Sequence, residues 1–152
     1  MACLVIGFGS IGQRHKEVLE GLGKQVSVVS RREGLGAYSD LEQAFIASSP
    51  KYIVIATETS DHASQLSNID KLGFTGTVLI EKPIAIDVRG LIKPKGFTLI
   101  IGYNLRFHPL LKHFRNDIQN DKIVCARLYA GQHLSSWRKG SDGKSSYSGY
   151  IS

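Results

Sequence analysis

The stretch Val5-Ile6-Gly7-Phe8-Gly9-Ser10-Ile11-Gly12 constrains this chain more than any other. An apolar run from Ala2 to Ile6 predicts a strand, Gln13 to Leu22 predicts a helix, and G-x-G-x-x-G joins them. The three glycines have separate tasks. Gly7 lets the strand turn tightly, Gly9 leaves room for a pyrophosphate to approach the backbone, and Gly12 lets helix and strand pack closely. Free N–H groups where the helix opens, around Ser10 and Ile11, then hold the phosphates. Glycine turns are common, and the hexad alone is a weak signal. Strand before and helix after supply the context of a dinucleotide site.

The second strand, Gln25 to Val29, ends in Ser30-Arg31-Arg32. Units that bind NAD place an Asp or Glu about 20 residues beyond the glycines, where it accepts hydrogen bonds from the ribose hydroxyls. No carboxylate appears here until Glu33. A hydroxyl followed by two guanidiniums suits a 2′-phosphate, which wants positive charge and donors in a fork. NADP is therefore the expected cofactor. NAD is the alternative, with Glu33 reaching the ribose and both arginines solvated.

A chain of 152 residues, 42% of them hydrophobic, is enough for one ordinary core. No apolar run approaches the roughly eighteen residues of a membrane span. Met1 leads at once into a core strand, which leaves no room for a secretory signal. Cys3 and Cys125, each placed inside an expected strand, read as buried thiols in a reducing, cytoplasmic setting. The net charge of +6 is spread along the chain and forms no dense basic block, so nucleic acid is not the expected partner. Phosphate-bearing cofactors and acidic substrates account for the excess equally well.

Strands and helices alternate through the first two-thirds. Helices are expected over Asp40 to Ser48, from Ser60 or Asp61 to Leu72, and over Pro109 to Asn120, with a short helical piece at Asp87 to Ile92. Strands are expected at Lys51 to Ala56, Thr77 to Ile80, Phe97 to Ile101 and Lys122 to Tyr129. The β-branched run Lys51 to Ala56 lacks polar alternation, as a parallel strand covered on both faces should. Such alternation of β and α predicts a doubly wound parallel sheet. From Gly131 to Ser152 the chain is rich in Ser, Gly and Lys and reads as a long loop belonging to something larger.

Four segments together resemble the Gfo/Idh/MocA oxidoreductase family. They are Val5 to Gly12, Ile55-Ala-Thr-Glu-Thr-Ser-Asp-His62, Glu81-Lys-Pro83 and Gly102-Tyr-Asn-Leu-Arg-Phe-His-Pro109. The resemblance implies a Rossmann domain, here residues 1–121, followed by an α/β substrate domain of which residues 122–152 form the first strand and loop. It also implies hydride transfer between NAD or NADP and a sugar-like or polyol alcohol or carbonyl. The stretch from Pro83 to Gly102 is shorter than the family's usual full helix. The glycine-rich segment that supplies an Asp and a His to the family's active site is not in this sequence. The chain is thus expected to be half of a longer protein or a shortened one, to bind nucleotide, and to turn over substrate poorly by itself.

Lys82 is the expected catalytic residue. A lysine at the C-terminal end of a parallel strand lies where doubly wound folds bind ligands. Its ammonium can stabilise charge developing on a reacting oxygen and relay a proton. Pro83 fixes the backbone after it, and family members often hold this proline cis. Glu81 has three readings: partner of Lys82, cofactor contact, or solvated carboxylate. Thr57 and Thr59 match a family turn that lines the cofactor groove. By the same resemblance His62 caps or packs near the nicotinamide and acts structurally rather than as a base. Asn104 matches a position that contacts nicotinamide or substrate. Arg106 is a candidate to hold a carboxylate or sugar hydroxyls, or to tie two domains together. Trp137 and Arg138 resemble a substrate-loop pair, with the indole as a face for a sugar to stack on. The five histidines do not group at metal-ligand spacing, and no metal site is expected. A non-catalytic nucleotide-binding sensor or partner subunit is the rival reading, and a homo-oligomer stays open.

Overall fold

The computed structural model describes residues 1–32, 34–127 and 129 of the chain. A first compact unit runs from Met1 to Tyr103, and a second begins at Asn104. In the first unit, five strands form one parallel sheet: β1 (Ala2–Ile6), β2 (Gln25–Val29), β3 (Tyr52–Ile55), β4 (Thr77–Ile80) and β5 (Thr98–Ile101). Their spatial order is β2-β1-β3-β4-β5. The chain therefore builds outward to one side of β1 and then returns to its other side. The doubly wound parallel sheet expected from sequence is the fold observed.

Three helices cover the sheet: α1 (Ser10–Gly21), α2 (Leu41–Ser48) and α3 (His62–Lys71). Leu19 of α1 joins Phe8 over Val5, Val28 and Val54 on one face. Ala44 of α2 and Leu66 and Ile69 of α3 close over Leu4, Ile6, Ile53, Ile55, Val78 and Ile80 on the other. With both faces covered, the central strands carry apolar side chains in succession rather than in alternation. Each fully buried Leu or Ile contributes about 2 kcal/mol. The aromatic side chains Phe45, Phe74 and Phe97 extend this second cluster, with the Phe45 and Phe74 rings edge to face at 6.1 Å.

Local chemistry sets the element ends. Asp40 caps α2, its carboxylate accepting the N–H of Gln43 at 2.9 Å, and Ser49 ends the helix in the left-handed region before Pro50. The expected helical piece at Asp87 to Ile92 shrinks to one 3₁₀ turn, Val88–Gly90, before Pro94. Consequently no α-helix crosses from β4 to β5.

The second unit holds a 3₁₀ turn, Asn104–Phe107, and helix α4 (Pro109–Ile118). Pro109 stands at the first position of α4, and the His108 ring accepts the N–H of Leu110 at 3.3 Å. The strand expected at Lys122 to Tyr129 is not formed: Lys122 to Arg127 have no regular structure, and Cys125 is an exposed thiol instead of a buried one. Ladder hydrogen bonds need a neighbouring strand, and no described strand pairs with this segment. Cys3, by contrast, is fully buried in β1.

Candidate nucleotide site

One register row sets the site. Ile6 of β1 pairs with Val29 of β2 and Ile55 of β3, Ile55 with Ile80 of β4, and Ile80 with Ile101 of β5. All five strands thus end level at their C-terminal edge. The residues that follow, Gly7, Ser30, Ala56, Glu81 and Gly102, begin five neighbouring turns. Parallel α/β sheets bind ligands at this edge, in the crevice where the strand order reverses. Here that crevice lies between β1 and β3.

The glycine turn has the shape the hexad predicts. Gly7 sits at φ +93, and a Cβ there would stand 2.6 Å from the Ala56 carbonyl oxygen. Gly12 is buried, and a Cβ on it would collide with the Gly7 carbonyl oxygen. Gly9 differs from both. It has ordinary extended backbone, and a Cβ on it would meet nothing within 4 Å. Gly9 is also the N-cap of α1, with no side chain capping the helix and no acidic residue in the first turn. The first intrahelical bond runs from Gln13 N–H to the Gly9 carbonyl at 3.0 Å, so the N–H groups of Ser10, Ile11 and Gly12 lack helical acceptors. Open space above free, positively polarised N–H groups fits a pyrophosphate. Beside it, the Thr57 hydroxyl oxygen is buried without a hydrogen-bond partner. An orphaned hydroxyl at this edge is a ready contact for a ligand.

Ser30 is buried, and its hydroxyl accepts the Arg32 N–H at 3.1 Å. It shapes the turn after β2 from which Arg31 and Arg32 extend. Arg31 is not a free donor: its Nη2 lies 2.6 Å from the Asp61 carboxylate, where the 3₁₀ turn Thr59–Asp61 leads into α3. Glu33 lies outside the described residues.

The Lys82–Pro83 peptide bond is cis, and Lys82 is exposed at the end of β4. Two histidines hold its neighbours. The buried His62 ring places Nδ1 at 3.0 Å from the Pro83 carbonyl and Nε2 at 3.3 Å from the Thr57 carbonyl. It thereby ties the turn after β3 to the turn that carries Lys82. The partner of Glu81 is His15 of α1, whose Nε2 donates to Oε1 at 2.8 Å. That bond, more than anything else, holds the Glu81 carboxyl below its ordinary value of 4.5 against the opposing effect of burial; the Lys82 charge and backbone N–H add to it. Gly102 lets β5 pass close by, since a Cβ there would stand 3.2 Å from Oε1.

A depressed carboxyl pKa stabilises the fold above the unfolded value, and the contribution is lost as pH falls through the folded value. Replacing His15 with Ala should therefore cost about 1 kcal/mol near neutrality. It should also flatten the loss of melting temperature as pH falls below the ordinary carboxyl value of 4.5, where a carboxylate with a lowered pKa gives up its contribution. An acid limb identical in the two proteins would rule out this pair as its source.

The first unit thus gathers Gly7, Gly9, Ser10, Ile11, Gly12, Ser30, Arg31, Arg32, Thr57, Thr59, His62, Glu81 and Lys82 at one sheet edge. Asn104 and Arg106 belong to the second unit, on its 3₁₀ turn, with the Arg106 guanidinium 5.6 Å from the Phe107 ring centroid. Trp137 and Arg138 lie outside the described residues. Two participants escape a reading of sequence alone, His15 and Asp61. His15 follows the buried Gly12 by three residues, hence on the same face of α1, and that spacing is a usable signal. Asp61 is marked in the sequence as a candidate helix start, and nothing local marks it as a partner of Arg31.

Residues 1–93 match the family model described as "Oxidoreductase family, NAD-binding Rossmann fold" (GFO_IDH_MocA). No curated protein matches the chain. Among solved structures, UDP-N-acetylglucosamine 3-dehydrogenase GnnA from Acidithiobacillus ferrooxidans is similar at 23% identity and TM-score 0.62, over 77% of this chain and 43% of that one. The WlbA dehydrogenase from Bordetella pertussis, in complex with NADH and UDP-GlcNAcA, is similar at 18% identity and TM-score 0.65, over 78% and 41%. The WlbA (WbpB) dehydrogenase from Thermus thermophilus, in complex with NAD and UDP-GlcNAcA, reaches 19% and 0.64, over 81% and 48%. The chain spans less than half the length of each of these structures.

Proposed function

We propose, from the premise that the chain belongs to the Gfo/Idh/MocA oxidoreductase family, that it is the nucleotide-binding part of a dehydrogenase for a sugar-like or polyol alcohol or carbonyl. The observation that carries this reading is the level sheet edge. Register puts the open glycine turn after β1 and the Lys82 turn after β4 on the same ligand-binding side, two strands apart. The turn Gly7–Gly12 and the α1 N-terminus hold the pyrophosphate, with the Thr57 hydroxyl beside them. The nicotinamide, when bound, supplies or accepts the hydride at a ring carbon. Lys82 holds a proton at Nζ, gives it to the oxygen of a carbonyl being reduced, and takes it from an alcohol being oxidised. The ammonium also stabilises charge on that oxygen as it develops. His62 and Glu81 orient the turn that carries it.

Residues from 122 onward open the substrate domain in this reading, with Trp137 and Arg138 as its contacts to the sugar; before it, Asn104 contacts nicotinamide or substrate and Arg106 holds a carboxylate or sugar hydroxyls. The setting is cytoplasmic, consistent with two free cysteines. The cofactor is NADP, with NAD as the weaker ligand, because Arg31 and Arg32 follow β2 where a ribose phosphate would stand. Calorimetric titration at low salt should show NADPH binding several-fold more tightly than NADH. Arg31→Ala should weaken NADPH by about tenfold, the loss expected for one charge-assisted contact, and NADH by less than about twofold. Equal affinities for the two nucleotides, unmoved by the substitution, would return these arginines to solvent. Failure of both nucleotides to bind would remove the function altogether.

A further inference from the structure

The ion pair between Arg31 and Asp61 joins residues 30 apart in sequence and crosses the mouth of the proposed groove. Arg31 stands two residues past the end of β2, and Asp61 six past the end of β3. Between those strands lies β1, whose end is the glycine turn. The two members are held very differently. The Arg31 side chain is 78% exposed and the Asp61 side chain 27%. Asp61 is also fixed through its backbone, its N–H donating to the Glu58 carbonyl at 2.9 Å and its own carbonyl accepting the Ser64 hydroxyl at 2.8 Å. The carboxylate is thus an anchored acceptor, and the guanidinium is a long arm resting on it. Among the described residues no carboxylate pairs with Arg32.

We infer that Asp61 is a specificity-determining residue: it competes with the cofactor 2′-phosphate for the Arg31 guanidinium and so sets how strongly NADP is preferred over NAD. The inference rests on the proposed NAD(P) reading of the site. A 2′-phosphate brings about two negative charges at neutral pH and must draw Arg31 away from Asp61 or share it. Either way it meets a fixed like charge nearby. NAD carries a neutral hydroxyl at that position and has no need to disturb the pair. Removing the Asp61 charge releases Arg31 and lifts the repulsion, and both effects favour the phosphate.

The test is a cycle of Asp61→Asn, Arg31→Ala and the double variant, each titrated with NADPH and with NADH at low and high salt. Asparagine keeps the size of the side chain and both backbone bonds of residue 61. Asp61→Asn should tighten NADPH by about fivefold at low salt and leave NADH within about twofold. The gain should shrink at high salt, since exposed charges are screened over about 10 Å at 0.1 M. In the Arg31→Ala background it should vanish, which identifies the arginine as the route. Unchanged NADPH affinity in Asp61→Asn would overturn the inference. An equal gain for both nucleotides, or a gain that survives Arg31→Ala, would overturn it too. If Arg31→Ala costs NADPH nothing, the cofactor reading falls, and this inference with it. A loss in Arg31→Ala with no gain in Asp61→Asn removes the inference alone.

Discussion

Gly9→Asp should leave the fold intact and abolish dinucleotide binding. Residue 9 has φ −74 and ψ −171, backbone that any residue adopts, and the space where its side chain would start is empty. Aspartate is also a preferred N-cap, so α1 should gain about 0.3 kcal/mol over glycine. That carboxylate would project into the volume assigned to the pyrophosphate and would take the N–H groups meant for it. Affinity for NADPH and NADH alike should fall by at least about a hundredfold, some 2.7 kcal/mol. Melting temperature should stay level or rise slightly, which separates loss of site from loss of structure. Gly12 offers no such separation, because the Gly7 carbonyl occupies the space its side chain would need. Retained nucleotide affinity in a folded Gly9→Asp protein would place the ligand elsewhere.

Lys82→Met should disable chemistry while sparing the cofactor. In a protein that joins this chain to a complete substrate domain, kcat should drop by roughly 10² to 10⁴, the range that one positioned proton-transfer group supplies. Nucleotide affinity should change by less than about twofold, because the proposed pyrophosphate site is the other turn, Gly7–Gly12. Methionine keeps an unbranched side chain one atom shorter and removes the ammonium with its charge and proton. The packing of the turn is secured independently by His62 on the Pro83 carbonyl and by His15 on Glu81. Steady-state rates, paired with calorimetry on the same preparations, check both halves. Turnover within a factor of about two of wild type would remove Lys82 from the mechanism.

Much of this fold and site is legible in the sequence, and what is legible is local. The strand-turn-helix at Gly7 to Gly12 announces itself because each glycine answers a steric need within a few residues. Open space at Gly9 and crowding at Gly12 match the separate tasks that the hexad gives them. The parallel sheet follows from β-branched runs such as Tyr52–Ile55. Pairing between distant side chains is another matter. His15 meets Glu81 across 66 positions, and Arg31 meets Asp61 across 30. No periodicity encodes those meetings; they follow from the order in which strands are laid side by side. The strand expected at Lys122 to Tyr129 shows the converse error. Val124 and Cys125 supply the right composition, but a strand is a relation between segments, and composition cannot provide the neighbour.

The levelness of the strand ends has a consequence for how such a chain tolerates insertion and deletion. Along the front edge there is no slack. One residue added to or removed from β4 would shift Lys82 by about 3.3 Å and turn it to the opposite face. The connection behind that edge, from Ile84 to Gly96, contains only a single 3₁₀ turn, and Ile86 and Val88 along it are more than half exposed. Doubling such a loop costs only about 0.6 kcal/mol in closure entropy. New segments can therefore be accommodated between β4 and β5 while the spacing of the turn residues stays frozen.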